Sequence, residues 1–209
     1  MIVLNLEVPI ACFRQSRARE YAETYPVPPP STIYGLLLSL VGETDRYKHP
    51  GTQLALAQTS LPKKSTVIRT FRRLKKKEIL DSSNARPDYQ ELLTDIRLLV
   101  CVLPGEDQAT PTLYQRLKDA FLQPAQVERF GGLSLGESRD LVNSISMLTE
   151  SQLQLSARWI LQEEDGLLAL PVWVDHVGSR GTRWRRYNVQ PLSPFSQPPA
   201  AAWTTISPT

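Results

Sequence analysis

Between Ile2 and Val8 apolar and polar side chains alternate (IVLNLEV), the period of two expected of a strand with one face buried. At Ile33, Leu36, Leu37 and Leu40 the apolar spacing changes to three and four, which predicts a helix over Ser31–Val41 that stops at Gly42. Pro28, Pro29 and Pro30 run directly into that helix. Proline fixes φ and keeps the residue before it extended, so the chain is expected to arrive as a stiff polyproline segment with Ser31 as N-cap. Farther along, Leu54–Thr59 and Ser65–Arg73 read as strands, and the polar, turn-rich stretch from Leu74 to Thr94 reads as the tip and return of a projecting hairpin. Ile96–Leu103 (IRLLVCVL) is almost continuously apolar, which predicts a central strand. Thr110 then caps a second helix with Pro111 at its first position, carried by Leu113, Leu117 and Phe121 to Gln123. Leu141–Leu148 and Leu167–Val174 supply two more strands.

Strand, helix, strands, then strand, helix, strand is the pattern of an α+β, ferredoxin-like split βαβ domain, whose four-stranded sheet is also the frame of RRM-like RNA-recognition modules. The domain is expected over residues 1–150, enlarged by a basic hairpin at about 60–96, with a β extension at 151–189. Residues 190–209 hold five prolines (Pro191, Pro194, Pro198, Pro199, Pro208), no charged side chain and a lone Trp203, and read as a docking tail rather than a folded element. With 209 residues and 41% hydrophobic content the chain can bury a core. No run approaches the roughly 18 apolar residues of a membrane span, so a cytoplasmic protein with no membrane contact is expected.

The net charge of +3 is modest, but its distribution is not even. KKSTVIRTFRRLKKK carries Lys63, Lys64, Arg69, Arg72, Arg73, Lys75, Lys76 and Lys77 without a carboxylate. FRQSRAR adds Arg14, Arg17 and Arg19, and RGTRWRR adds Arg180, Arg183, Arg185 and Arg186 around Trp184. Acid-free clusters interleaved with Phe13, Phe71, Trp184 and Tyr187 point to RNA or single-stranded nucleic acid, phosphates being met by the cations and bases by the rings. Tyr21, Tyr25 and Arg19, just before the prolines, form a second candidate surface. In FGGLSLGESRD, Gly131, Gly132 and Gly136 let backbone N–H groups approach phosphate oxygens beside Ser134, Ser138 and Arg139. The stretch is neither a Walker loop nor a dinucleotide fingerprint.

The sequence implies neither metal nor cofactor. Cys12 and Cys101 are isolated and read as reduced, buried thiols. Glu163, Glu164 and Asp165 share one exposed turn. Metal-independent RNA cleavage needs a base, an acid and a cation, and the two histidines are His49, in the surface turn DRYKHPG, and His176, after a strand and beside Asp175. His49 reads as a solvated loop residue, and no adjacent Lys–His pair is present.

The strand IVLNLEVPIACFR, the segment TYPVPPPSTIYGLLLSLVG, the basic hairpin and the loop GGLSLGES, in that order, resemble the fifth CRISPR-associated family, the small RAMP subunit of type I Cascade complexes. Within it the likeness is to the subtype I-B branch named from myxobacterial development, some members of which travel with Tn7-like transposons. The resemblance covers most of residues 1–175. It implies a RAMP domain that holds the 5′ handle of a CRISPR RNA and caps a filament of backbone subunits, with the large subunit and target DNA as further partners. The hairpin would be the thumb over the guide, Tyr25 to Gly42 (with Ser31 and Tyr34) the helix platform, and Gly131, Gly132 and Gly136 the phosphate loop. No catalytic residue is assigned, although one branch of the family cuts precursor RNA.

Overall fold

The computed structural model describes residues 1–72, 84–153, 155–175, 181–195 and 197–208, without the side chains of residues 71 and 72. The expected hairpin tip, with Arg73, Lys75, Lys76 and Lys77, and also His176 and Arg180, lie outside the described residues.

The alternation at the N-terminus becomes β1 (Ile2–Ala11). The continuous apolar run becomes the second half of a 19-residue strand, β5 (Ala85–Leu103). Between them come β2 (Tyr21–Ala22), α1 (Pro30–Leu40), β3 (Gln53–Gln58) and β4 (Lys63–Arg72). After β5 follow α2 (Leu113–Leu122), β6 (Ser144–Met147), β7 (Ser156–Gln162), β8 (Leu168–Val174), β9 (Thr182–Val189), β10 (Ser193–Pro194) and β11 (Trp203–Thr205). The main path of the sheet runs β6-β1-β5-β3-β7-β9-β8. Those neighbours are antiparallel, Leu4 lying opposite Val100 and Leu56 opposite the same Val100 from the other side.

Period two sorts the central strands into two cores. Leu4, Leu6, Val8, Leu98, Val100 and Leu54 pack with Ile33, Leu36 and Leu37 of α1 and Leu113 and Leu117 of α2. Val3, Leu99, Cys101, Ala55 and Ala57 face the opposite way, against Trp159 and Ala202. Because both faces are covered there, the second half of β5 carries apolar residues almost without alternation. Cys12 and Cys101 are free and buried, and burial pushes the Cys101 thiol up to about 12.

β5 changes partners along its length. Its second half lies between β1 and β3, and its first half pairs with β4, from Lys63 opposite Thr94 to Arg72 opposite Ala85. Asp95 at the join takes φ of 59°, a left-handed turn that Asp tolerates better than most residues. Ser60 Oγ donates to its carbonyl at 2.6 Å.

Two expectations are corrected at the starts of helices. Ser31 is not the cap of α1: the helix begins at Pro30, Pro29 is the N-cap without a side-chain bond, and Ser31 is buried. Proline at the first position already has helical φ and has no N–H to satisfy, so no side-chain cap is required there. Thr110 is not the cap of α2 either. Thr112 accepts from Gln115 N while the Gln115 side chain accepts from Thr112 N, and this capping box sets the start two residues later.

The C-terminal segment is not a free docking tail. β11 pairs with β3, Ala202 and Ile206 are buried, and the Phe195 ring packs on Trp159 at 5.8 Å. Charge-free residues with Pro and Trp close the back of the sheet here. Ile206 N donates to Thr52 O at 2.9 Å and Gly51 N to Ile206 O at 2.8 Å. Hydrogen exchange on the isolated protein should find both amides protected well beyond unfolded-chain rates. Exchange of both at random-coil rates would restore the docking-tail reading.

Candidate nucleic-acid interface

Helix α1 is buried nearly all round, and its remaining stripe, Thr32, Gly35 and Ser39, opens on a groove of about 670 Å³. Four segments distant in sequence meet at this groove. The stretch just after β1 brings Cys12, Phe13 and Arg14, and the proline segment with the start of α1 brings Tyr25, Pro29 and Ser31. The glycine-rich loop brings Ser134, Gly136 and Glu137, and the β8–β9 hairpin brings Pro171, Thr182 and Trp184.

Local hydrogen bonds hold these walls. Past β1 the chain turns back on itself, with Tyr25 N donating to Phe13 O at 2.8 Å and Gln15 N to Glu23 O at 2.9 Å. Arg14 folds over the turn, its Nη2 donating to Ala18 O at 2.9 Å. The loop is anchored by Leu135, fully buried, and by Asp140, whose Oδ2 accepts from Cys12 N and Glu137 N, each at 2.9 Å. Gly136 has φ of 108° and packs so closely that an added Cβ would stand 2.8 Å from Cys12 O and 2.8 Å from Asp140 Oδ2. Burial raises the Tyr25 hydroxyl above its ordinary pKa, against hydrogen bonding to Ser16.

Of the residues singled out from sequence, the structure thus brings Arg14, Tyr25, Ser31 and Gly136 to one groove. Arg17, Arg19 and Ser138 are exposed but do not line it. Gly131 and Gly132 stand exposed on the outer part of their loop. Tyr34 is a correction: it is completely buried, and its hydroxyl donates to Arg46 O at 2.8 Å. Phe13 and Tyr187 are likewise buried, so neither ring is presented for stacking.

The hairpin cations are less available than an acid-free sequence suggests. Strand pairing sets Lys64 beside Glu91, Nζ to Oε1 2.7 Å, and that hydrogen bond raises the lysine pKa. Arg69 approaches Glu137 at 3.9 Å, and Arg139 donates to both Glu137 and Gln90 Oε1, the latter at 2.6 Å. Lys63 remains exposed. The acids come from β5 and the glycine loop, far from the cluster in sequence. Next to this network, Tyr21 stacks on Tyr89 with centroids 6.1 Å apart, and both rings are exposed.

His49 is the clearest departure. It is fully buried, with Nδ1 2.9 Å from Asp107 Oδ2 and Nε2 3.2 Å from Arg116 Nη1. A guanidinium only donates, so Nε2 accepts and the ring is neutral with its proton on Nδ1. Arg116 also donates to Glu43 and to Val41 O, the latter at 2.9 Å. Burial works against the Glu43 carboxylate, but hydrogen bonds from Lys48, the Asp45 N–H and Arg116 outweigh it and hold its pKa at about 2. Among the described residues no group of three or more His, Cys, Asp or Glu is placed to hold a metal ion, and no helix is long and apolar enough to cross a membrane.

Sequence reading missed Arg46 and Gly35 at the groove. Arg46 sits in a plain turn, and the packing of α1 on β8 is what brings Tyr34 and Trp173 together beside it.

Comparison with known proteins agrees across sequence and structure. A family model described as CRISPR-associated protein (Cas_Cas5) matches residues 1–185. A "CRISPR-associated protein Cas5" of Myxococcus xanthus (strain DK1622) is 46% identical over 187 residues, covering 88% of this chain and 87% of its own. A chain of a solved "CRISPR RNA-guided surveillance complex" superposes with a TM-score of 0.61 at 14% identity, covering 92% of this chain and 89% of that one. A second solved structure, "Crystal structure of Cas protein", gives a TM-score of 0.53 at 18% identity, over 91% and 94% of the two chains. At those identities the structural matches establish a shared fold.

Proposed function

The chain belongs to the CRISPR-associated Cas5 family, and from that premise we propose that it is a non-catalytic CRISPR RNA-binding subunit of a type I Cascade effector complex. In this reading the groove along α1 holds the 5′ handle. The protein caps the filament of backbone subunits, beside the large subunit, for RNA-guided recognition of target DNA. The observation that carries it is the convergence of Arg14, Tyr25, Ser31 and Gly136, from three separate stretches, on a single groove. A concave surface with backbone at Gly136 and donors from side chains suits a single strand whose phosphates and bases are both accessible.

Strand order β6-β1-β5-β3, with α1 and α2 as crossovers, supports the ferredoxin-like, RRM-like description of the core. The ten-residue pairing of β4 with β5 supports the hairpin as the thumb over the guide. High identity to a myxobacterial relative supports placement near the subtype I-B branch. Defence and guided transposition both use such a subunit, and the neighbouring genes distinguish them.

A ribonuclease needs a base that reaches a 2′-OH. His49 is enclosed and engaged at both ring nitrogens, which removes it from that role. Labelled repeat RNA incubated with the protein in EDTA should be retained on a filter and remain uncut. Replacing Lys75, Lys76 and Lys77 by Ala should weaken retention of all sequences and reduce the salt slope by up to about 0.7 per lost phosphate contact. A defined cleavage product would instead favour a metal-independent endoribonuclease, and an unchanged slope would remove the thumb from the RNA path.

A further inference from the structure

Two features of the groove are unexplained by folding. The first is Arg46. Its Cζ lies 4.9 Å from the centroid of the Trp173 ring and 5.9 Å from that of Tyr34. Its Nε and Nη2 are buried and have no hydrogen-bond partner among the described residues. Buried donors on a charged group are ordinarily satisfied, and an exception calls for an account. Burial lowers the pKa of this guanidinium, with Tyr34, Tyr47 and Asp175 acting the other way.

The second is Gly35. It lies in the interior of α1, where glycine costs helix stability relative to alanine. Elsewhere in the chain close packing accounts for a glycine, as at Gly136. At Gly35 a Cβ would meet nothing within 4 Å. Neither its φ, which is helical, nor its neighbours require the missing side chain. Gly35 and Arg46 line the same groove, and there the lining side chains include two arginines, Arg14 and Arg46, against one carboxylate, Glu137.

We propose that Gly35 and Arg46 form a phosphodiester subsite, in which a single-stranded RNA backbone lies directly on the bare surface of α1 and one phosphate takes the fork of Arg46. The inference deepens the RNA-binding function and rests on it. A planar guanidinium matches two phosphate oxygens at once. The Arg46 edge carrying Nε and Nη2 breaks no hydrogen bond when it turns toward a ligand, because it has none there. Thr32 and Ser39, on the same stripe as Gly35, offer hydroxyls on either side.

The test uses a fluorescein-labelled oligoribonucleotide with the repeat sequence of the host array, anisotropy at several salt concentrations, and thermal melting of each variant. Gly35→Ala should melt at or above the wild type yet bind about tenfold more weakly, since one methyl group displaces the backbone from its phosphate contact. Arg46→Gln should bind more weakly with a salt slope smaller by about 0.7, and Arg46→Lys should not restore affinity because the fork is lost. Wild-type affinity and slope in Gly35→Ala and Arg46→Gln would overturn the subsite and leave RNA binding intact. A lower melting temperature for Gly35→Ala would assign that glycine to packing and also overturn it. Failure of the wild type to bind the oligoribonucleotide at low salt would refute the RNA-binding function itself.

Discussion

Replacing Asp107 by Ala should cost about 3–5 kcal/mol of folding stability, as expected when one partner of a buried charged network is removed. The carboxylate joins three segments. Oδ2 accepts from His49 Nδ1 at 2.9 Å and from Leu113 N at 2.7 Å, and Oδ1 accepts from Ala109 N at 2.9 Å. The Leu113 amide is in the first turn of α2, so Asp107 both satisfies an N–H that the helix leaves unpaired and orients the imidazole. Alanine would strand the buried ring N–H and the buried Leu113 amide, and each buried donor left unpaired carries a penalty of about 1–3 kcal/mol. His49 would lose the bond that fixes its tautomer and with it the proper aim of Nε2 at Arg116. Asp107→Asn keeps the volume and one acceptor oxygen and should lose markedly less. Urea unfolding of the two variants decides the matter: an Asp107→Ala midpoint equivalent to less than about 1 kcal/mol would mean that water satisfies these groups and the network is not structural.

That network also shows what a sequence of this kind hides. Asp107, Arg116 and Glu43 are separated by up to 73 positions, and His49 in DRYKHPG has the look of a solvated turn. Its burial depends on the end of α1, the loop before α2 and α2 itself arriving together. By contrast β1, α1 and the central strand were legible because their signals are local: period two in IVLNLEV, spacing of three and four in IYGLLLSL, and an unbroken run in IRLLVCVL. Local signals failed where two of them competed. Pro30 took the first helical position and displaced Ser31 as cap, and Thr112 with Gln115 outweighed Thr110. The C-terminal strand was illegible because its pairing to β3 gives three residues, WTT, too few for a period. At the groove, the glycine loop and the proline platform are legible as segments, and only the fold brings them together. The acid partners of the hairpin cations are hidden for the same reason as those of His49: Glu91 and Glu137 reach Lys64 and Arg69 only across the fold.

Gly136→Val should unfold the glycine-rich loop locally, lower stability by about 3 kcal/mol or more, and abolish retention of repeat RNA. Two independent effects add. At φ of 108° an L side chain is strained by about 1–3 kcal/mol even in open space. Here the space is closed by Cys12 O and by Asp140 Oδ2, each 2.8 Å from the new Cβ. Neither neighbour yields cheaply, since Cys12 continues from β1 and Asp140 Oδ2 holds the Cys12 and Glu137 amides. The loop must therefore move outward, taking Ser134 and Glu137 from the groove wall. Gly132→Val is the matched control. Gly132 lacks a positive φ, its added Cβ would meet only Leu141 Cδ2 at 3.7 Å, and it does not line the groove. That variant should stay within about 0.5 kcal/mol of the wild type and retain RNA normally. Melting and filter retention measured on both separate the possibilities. If Gly132→Val stays folded but loses RNA, the exposed rim of the loop, and not its packed floor at Gly136, is where the phosphate backbone approaches.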